Sequence, residues 1–114
     1  MKLIIAYIQP ERLEAVKTAL FKAEVNKISV INNASGCGLQ KGITESFRGL
    51  VRETKTRSKT RLEIAVNDNF VKPTVDAIIE GARTGQIGDG KIFILPLEEC
   101  IRIRTGGMGT DAIG

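Results

Sequence analysis

Residues 60–97 read TRLEIAVNDNFVKPTVDAIIEGARTGQIGDGKIFILPL, and the period of their hydrophobic pattern changes twice. Leu62, Ile64 and Val66 alternate with Arg61, Glu63 and Ala65, the period of two that a half-buried strand requires. Asn67-Asp68-Asn69 then offers short polar side chains suited to capping a helix, and Val71, Val75, Ile78 and Ala82 follow at helical spacing. Gly81 and Gly85 lie near the end of that helix. A glycine-rich loop leads into Lys91–Leu97, whose unbroken apolar run predicts a strand buried on both faces.

The N-terminal part repeats this order. Leu3, Ile4, Ile5, Tyr7 and Ile8 predict a doubly buried strand over 2–9, which stops at Pro10. Pro10 and Glu11 suit the start of a helix whose apolar stripe is Leu13, Val16, Leu20 and Ala23. A second strand is predicted from about Lys27 to Asn33, and Gly36, Gly38 and Gly42 then open a loop. At the other end Ile101 and Ile103 alternate with Arg102 and Arg104, predicting a short last strand before a glycine-rich, mobile tail over 106–114. Two strand-helix-strand units with an antiparallel sheet make an α+β, ferredoxin-like βαββαβ fold, one domain over 1–114. One helical layer covers only one face of such a sheet, yet two strands are apolar on both. The other face must meet something: self-association is the simplest answer, a larger partner the alternative.

The 114 residues are 42% hydrophobic and 26% charged, ordinary for a soluble domain that needs no disulfide or structural metal. Cys37 and Cys100 lack metal-ligand spacing and read as reduced thiols in a cytoplasmic protein. The chain has no histidine, which removes Ser-His and Cys-His nucleophiles and weighs against an enzyme. No run approaches a membrane span, and the apolar N-terminus reads as a strand, not a signal peptide. The net charge of +4 is concentrated in one segment. Arg48, Arg52, Lys55, Arg57, Lys59 and Arg61 face Glu53 alone, a local balance of +5 that points to a partner-facing loop. Phe47 is the only aromatic nearby, so a stacking platform for nucleic acid is lacking.

The chemistry is concentrated in Thr84-Gly85-Gln86-Ile87-Gly88-Asp89-Gly90-Lys91. Glycines let backbone N–H groups approach a phosphate, successive N–H groups can form an anion nest, and Lys91 adds a charge. Gly85, Gly90 and Lys91 imitate P-loop spacing, but Ile92 replaces the magnesium-binding hydroxyl and the loop follows a helix instead of a strand. On a strand, Arg102 and Arg104 share a face, and two guanidiniums there suit phosphate oxygens. Gly36–Gly42 is a second glycine loop, in which Gln40 offers an amide carbonyl to a metal or ligand.

Gln40–Arg48, Thr84–Ile94 and Ile101–Gly106 together resemble the PII signal-transduction family, and the likeness covers almost the whole chain. The resemblance implies a cytoplasmic homotrimer with ATP or ADP in clefts between subunits. It places Gly88, Asp89, Gly90 and Lys91 on the phosphates within a loop of about 84–91, with Arg102 and Arg104 contributing. Ser29, Ile64 and Thr84 fall near the adenine, and Gly38 and Gln40 at the base of a T-loop spanning about 42–57. It also implies Mg2+ and 2-oxoglutarate on Gln40, the latter contacted by Lys59. The T-loop, with Arg48 and Arg52, would grip a membrane transporter or metabolic enzyme of nitrogen or carbon metabolism. Four positions depart from the family pattern. Arg52 replaces a uridylylated tyrosine; Leu39 replaces an arginine, favouring ADP or AMP over ATP; Gln9 replaces a lysine, weakening the case for 2-oxoglutarate; and one residue is inserted between Val30 and Gly36. Two other readings compete with a nucleotide sensor: a weak ATPase using Glu63 or Asp89 as base, and a scaffold binding an acidic partner without nucleotide.

Overall fold

The computed structural model describes the backbone of residues 1–36, 44–47, 50–53 and 57–114, and no side chain between 37 and 56. Its elements are β1 (Lys2–Ile8), α1 (Leu13–Lys22), β2 (Ser29–Gly36), β3 (Thr44–Phe47), β4 (Leu50–Glu53), β5 (Arg57–Val66), α2 (Val71–Ala82), β6 (Gly90–Pro96) and α3 (Thr110–Ile113). One 3-10 turn leads into each of α1 and α2, Pro10–Arg12 and Asp68–Phe70. The main sheet has the order β2-β5-β1-β6, antiparallel throughout, which is the ferredoxin-like arrangement.

Alternation decides the core. Ile4, Ala6 and Ile8 of β1 and Leu62, Ile64 and Val66 of β5 point to one face, where Val16, Ala19 and Leu20 of α1 and Ala77, Ile78 and Ala82 of α2 meet them. Gly81 sets the distance between the helices: a Cβ there would lie 2.5 Å from the Cα of Val16. This contact rotates α2 from the predicted stripe. Thr74, Ala77 and Gly81 are buried beside Ile78 and Ala82, whereas Val71 and Val75 only pack against the edge of the core. The cap differs as well. Asn67 makes no side-chain cap; its Nδ2 donates to the Thr110 carbonyl, and Asp68 Oδ1 accepts from the Met1 ammonium at 2.8 Å.

Strand β2 runs further than predicted, to Gly36, because it contains a bulge. Ile31 pairs with Arg61 and Ala34 with Lys59, so Asn32 and Asn33 together face the single residue Thr60, and Asn33 has φ +61°. The bulge falls within the stretch between Val30 and Gly36, where the resemblance to the family implies an extra residue. Within the loop of 42–57 the backbone pairs Thr44–Phe47 with Leu50–Glu53 in a hairpin, regular structure that the charge-rich pattern does not announce.

The prediction of a strand buried on both faces fails for β6 in a single chain. The topology puts β6 at an edge, where Phe93, Ile94 and Leu95 are 48%, 48% and 41% exposed. The opposite edge, β2, exposes Val30 and Ile31. No helix among the described residues is long and apolar enough to cross a membrane.

Candidate functional site

Beyond α2 the chain turns extended at Arg83 and enters a loop built around one carboxylate. Asp89 Oδ2 accepts from the backbone N–H groups of Thr84 (2.8 Å) and Gly85 (3.0 Å), and Oδ1 accepts from the Thr84 hydroxyl. The Gln86 N–H donates in turn to Thr84 Oγ1 at 3.2 Å. The Thr84 hydroxyl chiefly, with the two amides and the nearby charge of Arg12, holds the Asp89 carboxyl below its ordinary value against the opposing effect of desolvation. Asp89 therefore fills the nest of the Thr84 and Gly85 amides with its own charge. The sequence reading placed Asp89 in the phosphate-binding loop; its side chain staples that loop.

Two glycines shape what remains open. Gly88 has φ +106° and Gly90 φ +107°, and a Cβ on Gly90 would lie 1.7 Å from the carbonyl oxygen of Tyr7. Lys59 Nζ donates to the Gly88 carbonyl at 2.9 Å, tying the start of strand β5 to the loop. Gln9 stands on the same side, its Nε2 within 3.6 Å of where a Gly88 Cβ would be. Beside this turn a hollow of about 360 Å3 lies between α2 and β6, lined by Tyr7, Ile8, Arg83, Asp89, Lys91 and Ile92 among others.

The arginine pair is elsewhere. In the β1–β6 register Gly90 stands opposite Ile8 and Pro96 opposite Lys2. Six residues of strand at ~3.4 Å each put about 20 Å between the glycine turn and the point where the C-terminal segment begins. Instead of a short strand, that segment forms a reversal: Ile101 makes one isolated bridge to Met108, and 103–105 are a turn. Gly106 and Gly109, both at positive φ, let the chain reverse, and Ile103 is fully exposed with no strand beside it. The two arginines thus lose their common face. Arg104 is exposed in the turn, whereas the Arg102 guanidinium donates to the carbonyls of Asp111 (2.9 Å) and Gly114 (3.1 Å).

Of the predicted site residues, Thr84, Gly88, Asp89, Gly90, Lys91 and Lys59 come together in one chain. Ser29 is exposed at the start of β2, in a hollow of about 430 Å3 that it shares with Lys27, Glu63, Cys100 and Ile113. Ile64 is fully buried toward the helices, which leaves its main chain as the contact it can offer. Gly38, Gln40 and Arg48 lie outside the described residues; Arg52 is placed only by its backbone, opposite Glu45 in the hairpin. The described residues hold no cluster of three or more histidine, cysteine or carboxylate side chains able to bind a metal.

Sequence reasoning missed a polar network on the open face of the sheet. Arg61 Nε and Nη2 donate to Glu63 Oε2 at 3.1 and 2.7 Å, and Nη1 donates to the Tyr7 hydroxyl at 2.9 Å. The guanidinium also lies 5.6 Å from the Tyr7 ring centroid, and Tyr7 meets Phe93 edge-on. The bond to Glu63 is the main cause that raises the Arg61 pKa. The i, i+2 charge pair on β5 was the available signal.

The geometry defines a ferredoxin-like α+β domain with a stapled glycine turn at one end of its sheet and an arginine-bearing reversal at the other. Residues 1–107 match the family model described as "Nitrogen regulatory protein P-II". The chain is 50% identical over 115 residues to nitrogen regulatory protein GlnK1 of Methanosarcina mazei, spanning 99% of this chain and 97% of that one. It is 48% identical over 113 residues to nitrogen regulatory protein P-II of Nostoc punctiforme, spanning 99% and 100%. A crystal structure of Arabidopsis thaliana PII bound to citrate is similar at a TM-score of 0.78 and 35% identity, covering 97% of this chain and 87% of that one. The chain belongs to the P-II family of nitrogen regulatory proteins.

Proposed function

We propose that this P-II protein is a non-enzymatic sensor of adenine nucleotides, working as a homotrimer whose sites are each shared by two subunits. The observation that carries this reading is the separation of the glycine turn from the arginine reversal by the length of β6. One chain cannot close both on the same phosphates; two neighbouring copies can. The exposed apolar residues of β6 and β2 supply surface for that association. In such a cleft the turn of Gly88, Asp89, Gly90 and Lys91 presents main-chain groups and one cation, and Arg102 and Arg104 arrive from the neighbour. Ser29, Thr84 and the main chain of Ile64 line the base end, with Gly38 and Gln40 completing the floor.

ADP or AMP suits the site better than ATP, because Leu39 cannot donate to a terminal phosphate. Mg2+ and 2-oxoglutarate would meet Gln40, and Lys59 would have to leave the Gly88 carbonyl to reach the oxoacid. Both carboxylates that a hydrolytic mechanism would recruit are engaged, Glu63 by Arg61 and Asp89 by Thr84 and Gly85, which favours sensing over catalysis. The loop of 42–57, with Arg48 and Arg52, would carry the signal in the cytoplasm to a transporter or enzyme of nitrogen or carbon metabolism.

Mixed trimers test the shared site. Lys91→Ala and Arg104→Ala chains should each bind ADP poorly alone. After co-refolding, the interfaces that join an intact turn to an intact arginine should bind normally. Calorimetry that recovers no high-affinity sites from the mixture would refute a site built across subunits.

A further inference from the structure

The C-terminal turn is fastened by more elements than its four residues need. Lys27 Nζ, from the connection before β2, donates to the Gly114 carbonyl at 2.5 Å. Asn67 Nδ2, from the connection before α2, donates to the Thr110 carbonyl at 3.2 Å. The Gly109 N–H bonds to the Cys100 carbonyl and to Glu99 Oε1, both at 2.9 Å. Arg102 closes the set on the carbonyls of Asp111 and Gly114. Ile113 lines the hollow that holds Ser29 and also a second one beside Val66 and Phe70.

Arg102 of the proposed nucleotide site is thus engaged by residues of the α3 turn. Both Arg102 bonds come from one guanidinium nitrogen, Nη2, and Ile113 lines the hollow that holds Ser29. We infer that α3 is an autoinhibitory latch: it holds Arg102 within its own protomer, and a nucleotide must displace it to recruit that arginine. The inference rests on reading Arg102 as a phosphate ligand.

The energetics favour a reversible device. A helix end leaves carbonyls that cations satisfy, so Arg102 and Lys27 stabilise the turn. A phosphate can take both edges of a guanidinium with charged oxygens, whereas the turn engages Arg102 through the single nitrogen Nη2. The ligand competes with the turn for Arg102, at an apparent affinity reduced by the fraction of molecules that are unlatched. Release frees Arg102 and widens the hollow beside Ser29 in one step.

The test uses full-length chains. Asn67→Ala removes the bond to the Thr110 carbonyl, and Glu99→Ala removes the side-chain bond to the Gly109 N–H. Neither residue belongs to the proposed binding set. ADP titrated by calorimetry should bind each variant about three- to tenfold more tightly than the wild type, as expected when most molecules start latched. In the wild type, saturating ADP should also speed hydrogen exchange of the Ala112 amide, which is bonded to the Gly109 carbonyl. Unchanged or weaker ADP binding in both variants, with Arg102→Ala still weakening the wild type, would overturn the latch and leave the phosphate role of Arg102 standing. An Arg102→Ala chain that binds ADP like the wild type would overturn that role and the latch together.

Discussion

Gly90 and the carbonyl of Tyr7 occupy space that leaves no room for a β-carbon: one built on Gly90 would sit 1.7 Å from that oxygen. The clash is with backbone, and the φ of +107° is itself hostile to any side chain. Gly90→Ala should therefore part β6 from β1 at the end where the phosphate turn begins. The expected cost is roughly 3 kcal/mol or more, the sum of a strained backbone and a steric conflict. Thermal unfolding should show a large drop in Tm, and ADP binding should vanish even at temperatures where the variant stays folded.

Gly81→Ala tests the contact between helices. Its Cβ would meet the Cα, at 2.5 Å, and the N of Val16, at 2.7 Å, so α1 and α2 must separate. Overpacking of this kind costs about 1–3 kcal/mol. Helix propensity alone would stabilise the alanine by up to about 1 kcal/mol, so a lower denaturation midpoint would show that packing decides.

Asp89 makes a prediction in pH. Its carboxyl is held below the ordinary value in the folded state, by the Thr84 hydroxyl first. Such a group contributes stability that is present above the unfolded pKa and lost as pH falls through the lower folded value. The Tm of the wild type should exceed that of Asp89→Asn near neutral pH, and the gap should close below about pH 4, the ordinary carboxylate range. A gap that does not narrow at all as the pH falls from neutral into the acid range would mean that the ionised carboxylate is not what staples the loop.

Arg104 and Leu39 test ligand choice. Arg104→Ala should weaken ADP binding by about 1.5–3 kcal/mol, the range of a hydrogen bond to a charged group. Leu39→Arg should raise ATP affinity selectively by restoring a fork for the terminal phosphate. Calorimetry that finds the wild type already preferring ATP by about tenfold, or 1.4 kcal/mol, would show that another cation serves that phosphate.

Much of the fold was legible because its period is carried by few residues. Leu62, Ile64 and Val66 point inward at every second position, and β5 follows from them directly. The sequence was read less well where a main-chain reversal or a neighbour decides. Ile101-Arg102-Ile103-Arg104 has the alternation of a strand, but glycines at 106, 107 and 109 reverse the chain before a ladder can form. The run Ile92–Leu95 signals burial that a single chain does not supply, since topology leaves β6 at an edge. In the candidate site, glycines with a lysine were visible as an anion loop. The staple was not, because Thr84 and Asp89 are matched only by the curvature between them.

The bulge at Asn32–Asn33 has a consequence for how such chains change length. An added residue in a strand ordinarily inverts every following side chain to the opposite face. Here Ile31 and Ala34 still stand opposite Arg61 and Lys59, two residues of one face of β5, so the inversion is cancelled within a single step. Ser35 and Gly36 then reach the root of the long loop in the frame they would have had without the extra residue. The strand edge acts as an expansion joint, taking up an insertion while the parts on either side stay aligned.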